Sequence, residues 1–265
     1  ASHEQRGRKQ HEPGRSGHEI FRKWVREWAD RRQPVRPMWG RSFAILRGCD
    51  HPIRDIHDVQ FDRSGAWSFP GPGRVGRNMF QIRIHGRGGQ GVVTAAELLS
   101  VAAFREDRHS QAFPSFGSER TGAPVVAFCR IDNRPIRLRE PILAPDALII
   151  QDPTLLHQVD VFGGLQAGGY ILINTARTFA DLGLEEFAQK FSAAHLCTVP
   201  ATEIAMRHVG RPLPNASLLG GFAALTGRVS LESVAAAISE KFPPKVAAGN
   251  VAAATEAYEF VQREM

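Results

Sequence analysis

Phe80-Gln81-Ile82-Arg83-Ile84-His85 runs directly into Gly86-Arg87-Gly88-Gly89-Gln90-Gly91, and these residues decide the fold. The first half predicts a strand over 79–85, and the residues after the glycines predict a helix over 92–104. Four glycines let the chain reverse within a few residues, at φ values that a Cβ disfavours. With no side chains in the way, the first N–H groups of the helix can face an anion or another protein's backbone. The turn therefore opens an α/β domain and marks its expected functional edge.

Beyond this turn, strands and helices alternate along the chain. Further strands are predicted at 109–113, 124–131, 147–151, 170–174 and 195–199, and helices at 179–191, 202–208, 216–226, 231–241 and 245–264. Asp132-Asn133 reads as a tight turn, with 134–139 returning as an antiparallel strand. Gly220-Gly221 is expected to serve close helix packing. The pattern predicts an α/β fold: an open, mostly parallel sheet with helices on both faces, one antiparallel hairpin and a helical C-terminal portion.

Residues 1–78 form a separate, partly irregular extension in this interpretation, and 79–265 form the main domain. The extension holds 16 Lys+Arg against 9 Asp+Glu, so it carries the whole net charge of +6 and the main domain carries about −1. It also contains all four tryptophans (Trp24, Trp28, Trp39 and Trp67). Our hypothesis is that residues 18–70 wrap over a partner or over the main domain, with the tryptophans as anchors. The mixture with acids argues against nucleic-acid binding.

The composition excludes several classes of protein. No run of about 18 apolar residues is present, so no membrane span is expected, and the polar N-terminus shows no secretory signal. The three cysteines, Cys49, Cys129 and Cys197, are scattered, which argues against a disulfide framework and fits a reducing cytoplasm. They cannot form a four-thiolate cluster or zinc site on this chain alone. Cys129 and Cys197 are expected to be small buried hydrophobes.

The glycine turn meets only half of the dinucleotide-binding pattern. Gly86, Gly88 and Gly91 give Gly-x-Gly-x-x-Gly between a strand and a helix, but the next predicted strand ends without the acid that would hold a ribose. NAD binding is therefore disfavoured, while a phosphate, a carboxylate or a neighbouring subunit stays open. No catalytic residue is assigned, since no Gly-x-Ser-x-Gly elbow, Walker lysine or metal-spaced histidine cluster is present. His85 is interpreted as a packed core residue.

A second constellation, residues 113–124, reads Phe-Pro-Ser-Phe-Gly-Ser-Glu-Arg-Thr-Gly-Ala-Pro and is expected beside the glycine turn. Glu119 and Arg120 could form a solvated surface pair. Alternatively, the loop reaches into a neighbouring site, where Arg120 binds a phosphate or carboxylate in bidentate fashion.

Four segments together, 86–95, 113–124, 132–139 and 215–220 (Asn-Ala-Ser-Leu-Leu-Gly), resemble the gamma subunit of 2-oxoacid:ferredoxin oxidoreductases, with the pyruvate synthase branch closest. The resemblance covers residues 79–265 and leaves the role of 1–78 open. It implies a subunit, inactive alone, of an enzyme that converts a 2-oxoacid and coenzyme A to acyl-CoA, carbon dioxide and reduced ferredoxin. Thiamine diphosphate, magnesium and iron–sulfur clusters would lie on alpha, beta and delta subunits, with no cofactor on this chain alone.

The resemblance also associates this subunit with closing the active site and handling coenzyme A. Contacts with coenzyme A or a companion subunit are expected in the two loops, at Gly86, Arg87, Gly88, Gly89, Gln90, Gly91, Phe116, Glu119 and Arg120. The alternatives are a nicotinamide-dependent dehydrogenase that uses the glycine turn, and a purely structural interaction subunit.

Overall fold

The computed structural model describes residues 60–61, 67–68, 79–115 and 121–265. Met79–Met265 belongs to one compact unit. A two-residue antiparallel ladder, Gln60–Phe61 against Trp67–Ser68, belongs to a second unit. Apart from this ladder, the predicted wrapping of residues 18–70 lies outside the described residues, as do Cys49 and the loop residues Phe116, Glu119 and Arg120. The boundary at residues 78 and 79 stays a prediction.

The main unit contains six strands and six α-helices among its described residues. The strands are β1 (Phe80–Arg87), β2 (His109–Pro114), β3 (Pro124–Asp132), β4 (Ala147–Ile150), β5 (Tyr170–Asn174) and β6 (Leu196–Val199). The helices are α1 (Val92–Phe104), α2 (Glu185–Ala188), α3 (Ala201–Val209), α4 (Asn215–Thr226), α5 (Leu231–Lys241) and α6 (Pro244–Glu264). Single-turn 3₁₀ helices lie at Pro153–His157 and Ala193–His195.

The six strands form one sheet in the order β2-β3-β1-β4-β5-β6. Strands β1, β4, β5 and β6 run parallel, with Ile84 opposite Ile149 and Ile149 opposite Leu172. β3 runs antiparallel to both of its neighbours, β1 and β2. The predicted fold class, an open and mostly parallel α/β sheet with a helical C-terminal portion, is confirmed.

The antiparallel hairpin is formed by other strands than predicted. β3 turns back from β2, whereas residues 134–139, predicted as the returning strand, form no strand. Pro135 and Pro141 lack N–H groups that a ladder requires. The carbonyls of this segment instead accept from buried side chains: the Arg130 guanidinium donates to the oxygens of Leu138 and Glu140, and Arg83 donates to that of Ile142. Side-chain donors thus take the place of a neighbouring strand.

The main hydrophobic core lies between one sheet face and the larger helices. Alternate strand residues such as Ile82, Ile84 and Leu172 are fully buried against α1, α4, α5 and α6. Gly220 permits the tightest approach, because a Cβ there would lie 1.9 Å from the carbonyl oxygen of Ala254 on α6. The prediction that Gly220 serves helix packing is therefore confirmed.

The opposite face of the sheet is covered by short elements rather than by a long helix. The predicted helix 179–191 is wrong in length, since only α2 is α-helical there. Gly183 adopts φ +72°, and Asp181 accepts from the backbone N–H of Thr178 in a local turn, so the chain reverses before α2 begins. Phe187 of α2 stacks on Phe162 with ring centroids 4.4 Å apart. Aromatic packing therefore seals this face without a full helix.

Candidate functional site

The glycine turn lies at the carboxyl end of β1, beside the loop that precedes β3. Gly88 N–H donates to the carbonyl of Ala123 at 2.9 Å, and Gly122 N–H donates to the carbonyl of Gly88 at 3.1 Å. Gly88 also forms an isolated parallel bridge with Thr121. The predicted neighbourhood of the two loops is thus confirmed at residues 121–123, while the roles of Phe116, Glu119 and Arg120 stay predictions.

Two of the glycines are required by close contacts. Gly91 caps the start of α1 at φ +73°, and a Cβ there would lie 2.6 Å from Nδ2 of Asn215 at the start of α4. A Cβ on Gly86 would lie 2.6 Å from Cγ2 of Val92. Gly89 differs, since its φ of +94° demands glycine although no atom lies within 4 Å of the Cβ position. The turn is therefore pressed against α1 and α4 at its ends and open in its middle.

Arg87 holds the turn to the adjacent parallel strand. Its Nε donates to Oδ2 of Asp152 at 3.0 Å, and its Nη2 donates to the side-chain oxygens of Thr154 (2.7 Å) and Gln158 (2.9 Å). Its Nη1 donates to the carbonyl of Gly122 at 3.0 Å. The guanidinium was expected to face a ligand. Its geometry shows that most of its donors already bind the protein's own loops.

Asp152 is the acceptor on which this network depends. It follows β4, caps the 3₁₀ turn at Pro153–His157, and accepts from Nε2 of Gln90 at 3.0 Å as well as from Arg87. Burial alone would raise the pKa of Asp152, but hydrogen bonds from Thr154 and Gln90 and the charge of Arg87 hold that pKa below its ordinary value. Sequence reasoning missed this residue, although Asp-Pro directly after a buried strand is a helix-start signal.

The N-terminus of α1 is the open part of the site. The first intrahelical bond runs from Ala95 N–H to the carbonyl of Gly91, so the N–H groups of Val92, Val93 and Thr94 have no acceptor within the helix. These three residues line an open cavity of about 460 Å³, together with Arg87, Gly88, Gly89, Gly91, Thr121 and Val125. Amides without an acceptor in the helix and the positive end of the helix dipole make this cavity suited to a negatively charged group.

Polar side chains also join the neighbouring strand ends at this edge. Asn174 donates through Nδ2 to the carbonyl of Gln151 (2.7 Å) and accepts at Oδ1 from the N–H of Thr202 (3.0 Å), which links β4, β5 and α3. The Gln151 side chain is buried beneath Gly86, and neither atom of its amide has a partner among the described residues. Sequence reasoning gave none of these residues a role, because their partners lie on distant strands.

Among the described residues, no strong acid–base group lines the cavity. His85 is 4% exposed, and burial, reinforced by the charge of Arg83, lowers its pKa to about 3. It is therefore neutral at physiological pH, and its interpretation as a packed residue is confirmed. Burial raises the pKa of the Cys129 thiol to about 12. Burial and the charge of Glu264 raise that of Cys197 to about 11. Both thiols are buried and protonated, as predicted for small hydrophobes.

Among the described residues, no three His, Cys, Asp or Glu side chains come together as metal ligands, so these residues do not fit an iron–sulfur cluster. In the same part of the chain, no helix has both the length and the apolar character needed to cross a bilayer.

The strand order argues against a dinucleotide site. In the dinucleotide-binding fold, the strand after the first helix pairs in parallel with the first strand. Here β2 follows α1 but β3 separates it from β1, so the end of β2 lies away from the turn. Asp152, the acid on the parallel neighbour, already accepts from Arg87, Gln90 and Thr154. The carboxylate that would bind a ribose is thus occupied.

These features define an α/β domain whose glycine turn leaves a helix N-terminus open at one edge of the sheet, with no strong acid–base group beside it among the described residues. Residues 81–260 match the family described as pyruvate ferredoxin/flavodoxin oxidoreductase. This match spans more than half of the chain, and the chain therefore belongs to that family.

Similar proteins carry gamma-subunit names, in agreement with the resemblance found in the sequence. The chain is 48% identical over 181 residues to pyruvate synthase subunit PorC of Methanothermobacter marburgensis, covering 68% of this chain and 97% of that protein. It is 49% identical over 181 residues to the pyruvate/ketoisovalerate oxidoreductases common subunit gamma of Thermococcus litoralis, covering 68% and 96%.

Solved structures show the same fold. The pyruvate oxidoreductase subunit PORC of Thermotoga maritima superposes with a TM-score of 0.57 at 35% identity, covering 69% of this chain and 96% of that one. The 2-oxoglutarate:ferredoxin oxidoreductase of Magnetococcus marinus, solved with coenzyme A bound, gives a TM-score of 0.57 at 15% identity. That match covers 71% of this chain and 32% of the larger one, and it shows the fold alone.

Proposed function

We propose that this chain is the gamma-type subunit of a 2-oxoacid:ferredoxin oxidoreductase and that its glycine turn lines the coenzyme A entrance of the assembled enzyme. The enzyme would convert a 2-oxoacid, with pyruvate favoured, and coenzyme A to acyl-CoA, carbon dioxide and reduced ferredoxin. Family membership and the gamma-subunit names of relatives support the first part. The open N-terminus of α1 supports the second.

The single observation that carries the coenzyme A assignment is the set of free amides at Val92, Val93 and Thr94 beside the cavity. Coenzyme A bears a diphosphate and a 3′-phosphate, and a helix N-terminus contributes roughly half a positive charge. Arg87 is largely occupied by Asp152, Thr154 and Gln158, so the amides rather than Arg87 are assigned as the principal phosphate donors. Arg120, predicted from the sequence, would add charge from the adjacent loop.

The cofactors of the reaction are assigned to companion chains. Thiamine diphosphate with magnesium supplies the decarboxylation chemistry when bound, and iron–sulfur clusters carry the electrons. The described residues offer no metal-ligand group, and their two cysteines are buried. We therefore assign these cofactors to alpha, beta and delta subunits, with ferredoxin as the electron acceptor of the complex. This chain would be inactive alone and would enclose the site, in a reducing cytoplasm compatible with its free thiols.

A charge introduced at the first turn of α1 tests the coenzyme A assignment. Thr94→Glu puts a carboxylate into the cavity at a position where an acid also stabilises a helix, so the fold is expected to be retained. In the assembled enzyme this variant should raise the KM for coenzyme A at least tenfold, while carbon dioxide exchange with the oxoacid stays unchanged. The control is Thr94→Gln, because glutamine has the size of glutamate without its charge. It should raise the KM for coenzyme A less than threefold.

Other outcomes favour the alternatives. Equal loss of exchange and of coenzyme A turnover would indicate a structural role for the turn. An unchanged KM would remove coenzyme A from this cavity. Arg120→Ala is an independent test, because it should also raise the KM for coenzyme A while carbon dioxide exchange stays unchanged. The dehydrogenase alternative predicts NAD binding by the chain, and equilibrium dialysis should detect none. Native mass spectrometry of the purified complex tests the class itself, through the companion subunits and cofactors that it identifies.

A further inference from the structure

Residues 134–143 form an extended segment, and most of its side chains are exposed. Leu143 is 78% exposed and Leu138 is 44% exposed, so both add apolar surface to the segment. Arg134, Arg137 and Arg139 are exposed beside them. Among the described residues, none of these three guanidinium groups has an ion pair or a side-chain hydrogen bond. The segment thus combines apolar surface with unneutralised positive charge. We call these ten residues the arginine strip.

Hydrogen bonds from buried side chains hold the backbone of the arginine strip in place. Arg130 donates to the carbonyls of Glu140 (2.5 Å) and Leu138 (3.5 Å), and the Gln81 amide donates to that of Ala144 (3.5 Å). Arg130 is itself 2% exposed. A segment that has no strand partner is therefore already ordered, and ordering it on binding would cost little conformational entropy. Pre-organisation of this kind favours a docking surface over a random loop.

A second buried arginine joins the strip to the neighbouring loop. Arg83 donates to the carbonyl of Ile142 (3.5 Å) and to those of Val161 (2.9 Å) and Gly163 (2.7 Å). The two segments also pack closely at Gly164, because a Cβ there would lie 1.9 Å from the carbonyl oxygen of Leu143. Val159, 38% exposed, lies on this second segment and extends the apolar surface.

The second segment begins beside the candidate functional site. Gln158, next to Val159 in the chain, accepts from Arg87 of the glycine turn at 2.9 Å. The strip itself follows β3, whose end pairs with the start of β1, so it lies at the opposite end of β1 from the turn. The charges of the strip indicate the chemistry of a partner: three guanidinium groups without an ion pair among the described residues, against one acid, Glu140, favour carboxylates around an apolar contact.

We propose that the arginine strip and Val159 form the docking surface for a companion subunit of the oxidoreductase, one that presents acidic side chains around an apolar pocket. The inference rests on the proposed function, since it requires that the chain works in a complex. Leucines 138 and 143 supply the buried centre of the contact, and the arginines supply its charged rim.

Matched double variants test the charged rim. Arg137→Glu/Arg139→Glu reverses two charges on the strip, and Lys245→Glu/Arg263→Glu makes the same change in net charge on α6. Each chain is co-expressed with its companion subunits, and assembly is measured by native mass spectrometry and by association kinetics. The strip variant should slow association at least tenfold and lose most of its salt dependence, while the α6 variant stays within threefold of wild type.

A second pair tests the apolar centre. Leu143→Asp should weaken assembly at least tenfold, mainly through faster dissociation, because a carboxylate would be buried at the contact. Val246→Asp, on α6 at a position that is 42% exposed, is the control and should assemble normally. Both positions are at the surface, so thermal melting of each variant should match wild type within a few degrees.

Three results would overturn the proposal. Normal assembly of both strip variants would remove it directly. Normal assembly with a raised KM for ferredoxin would show that the strip binds the electron carrier instead of a companion subunit. The third result is faster hydrogen exchange at 134–143 when residues 1–78 are deleted from the chain without its companions. It would show that the chain's own N-terminal extension covers the strip. A wild-type chain that joins no companion subunit would instead contradict the proposed function.

Discussion

The contact between Gly91 and Asn215 gives the sharpest stability prediction at the site. Gly91→Ala places a methyl group 2.6 Å from Nδ2 of Asn215, which is buried and whose Oδ1 already accepts from the N–H of Ala216. A methyl-to-nitrogen contact needs about 1 Å more room, and Asn215 cannot give way without leaving that hydrogen bond. The variant therefore combines backbone strain at positive φ with overpacking.

Gly89→Ala separates these two causes. Its φ of +94° lies further from the left-handed well than the +73° of Gly91, but its Cβ would meet nothing within 4 Å. The conformational strain, about 1–2 kcal/mol, is thus no smaller at Gly89. Overpacking adds about 1–3 kcal/mol at Gly91 alone. Gly91→Ala should therefore lower the free energy of unfolding by about 2–5 kcal/mol, and Gly89→Ala by about 1–2 kcal/mol.

Urea denaturation of the full chain, followed by circular dichroism, measures both changes. Asn215→Ala supplies the decisive background, because it removes the side chain that the new methyl group meets. Gly91→Ala in that background should cost no more than Gly89→Ala, which gives a coupling energy of about 1–3 kcal/mol between positions 91 and 215. Equal costs for the two glycine variants in the wild-type chain, or a coupling energy near zero, would refute the argument from contact.

Three further predictions concern the core and the network behind the turn. Gly220→Ala should destabilise the chain by more than about 2 kcal/mol, because the backbone of Ala254 occupies the space of the new Cβ. Gly221→Ala, whose nearest contact would be at 3.3 Å, should be neutral or gain up to about 1 kcal/mol from helix propensity. Thermal melting of the two variants measures the difference. Asp152→Asn should cost about 1–3 kcal/mol at pH 7 by leaving Arg87 and Gln90 donors unpaired. The folded-state pKa of Asp152 is lowered, so this difference from wild type should shrink as pH falls below 4, and a constant difference would contradict the network. His85, with a pKa lowered to about 3, takes up a proton only in the unfolded chain between pH 3 and 6.5. Wild-type stability relative to His85→Leu should therefore fall by up to about 1.4 kcal/mol per unit as pH drops through that window, and a flat difference would show that His85 is not buried in its neutral form.

Local sequence signals predict the elements that form the main layers. The strand at β1, the helix at α1 and the helix at α5 follow from apolar runs and glycine punctuation, and their observed bounds agree to within two residues. The same logic fails at 134–139, where the Leu138 carbonyl accepts from the Arg130 side chain instead of a strand. The carbonyls of Glu140 and Ile142, just beyond, accept in the same way from Arg130 and Arg83. A periodicity argument contains no information about side-chain donors that replace a strand.

The candidate site shows the same division between local and distant causes. The need for glycine at Gly91 is visible locally, as a turn before a helix, but the Asn215 side chain that enforces it lies 124 residues further along the sequence. Arg87 shows the same limit from the other side. A charged residue in a glycine turn is expected to bind a ligand, and that stays a prediction. Its hydrogen bond from Nε to Asp152, 65 residues away, at 3.0 Å could not be foreseen from the turn itself. Asp152 follows β4 and Arg87 ends β1, and only the parallel pairing of these strands brings the two side chains together.

Under the proposed function, a domain whose described residues offer no catalytic group would still shape a reaction site. The ion pair between Arg87 and Asp152 neutralises the only charges at the turn that the described residues bring together, so what remains open to a ligand is the row of α1 amides. Amides fixed by a helix need no reorganisation when an anion arrives, whereas a free arginine would have to be ordered. The unpaired arginines of the strip, among the described residues, lie on residues 134–139, beyond the end of β3 that pairs with the start of β1. The proposed occupant there is a protein rather than a substrate. Placing the two kinds of positive charge at opposite ends of β1 would let the domain hold a companion subunit and a small anion without competition between them.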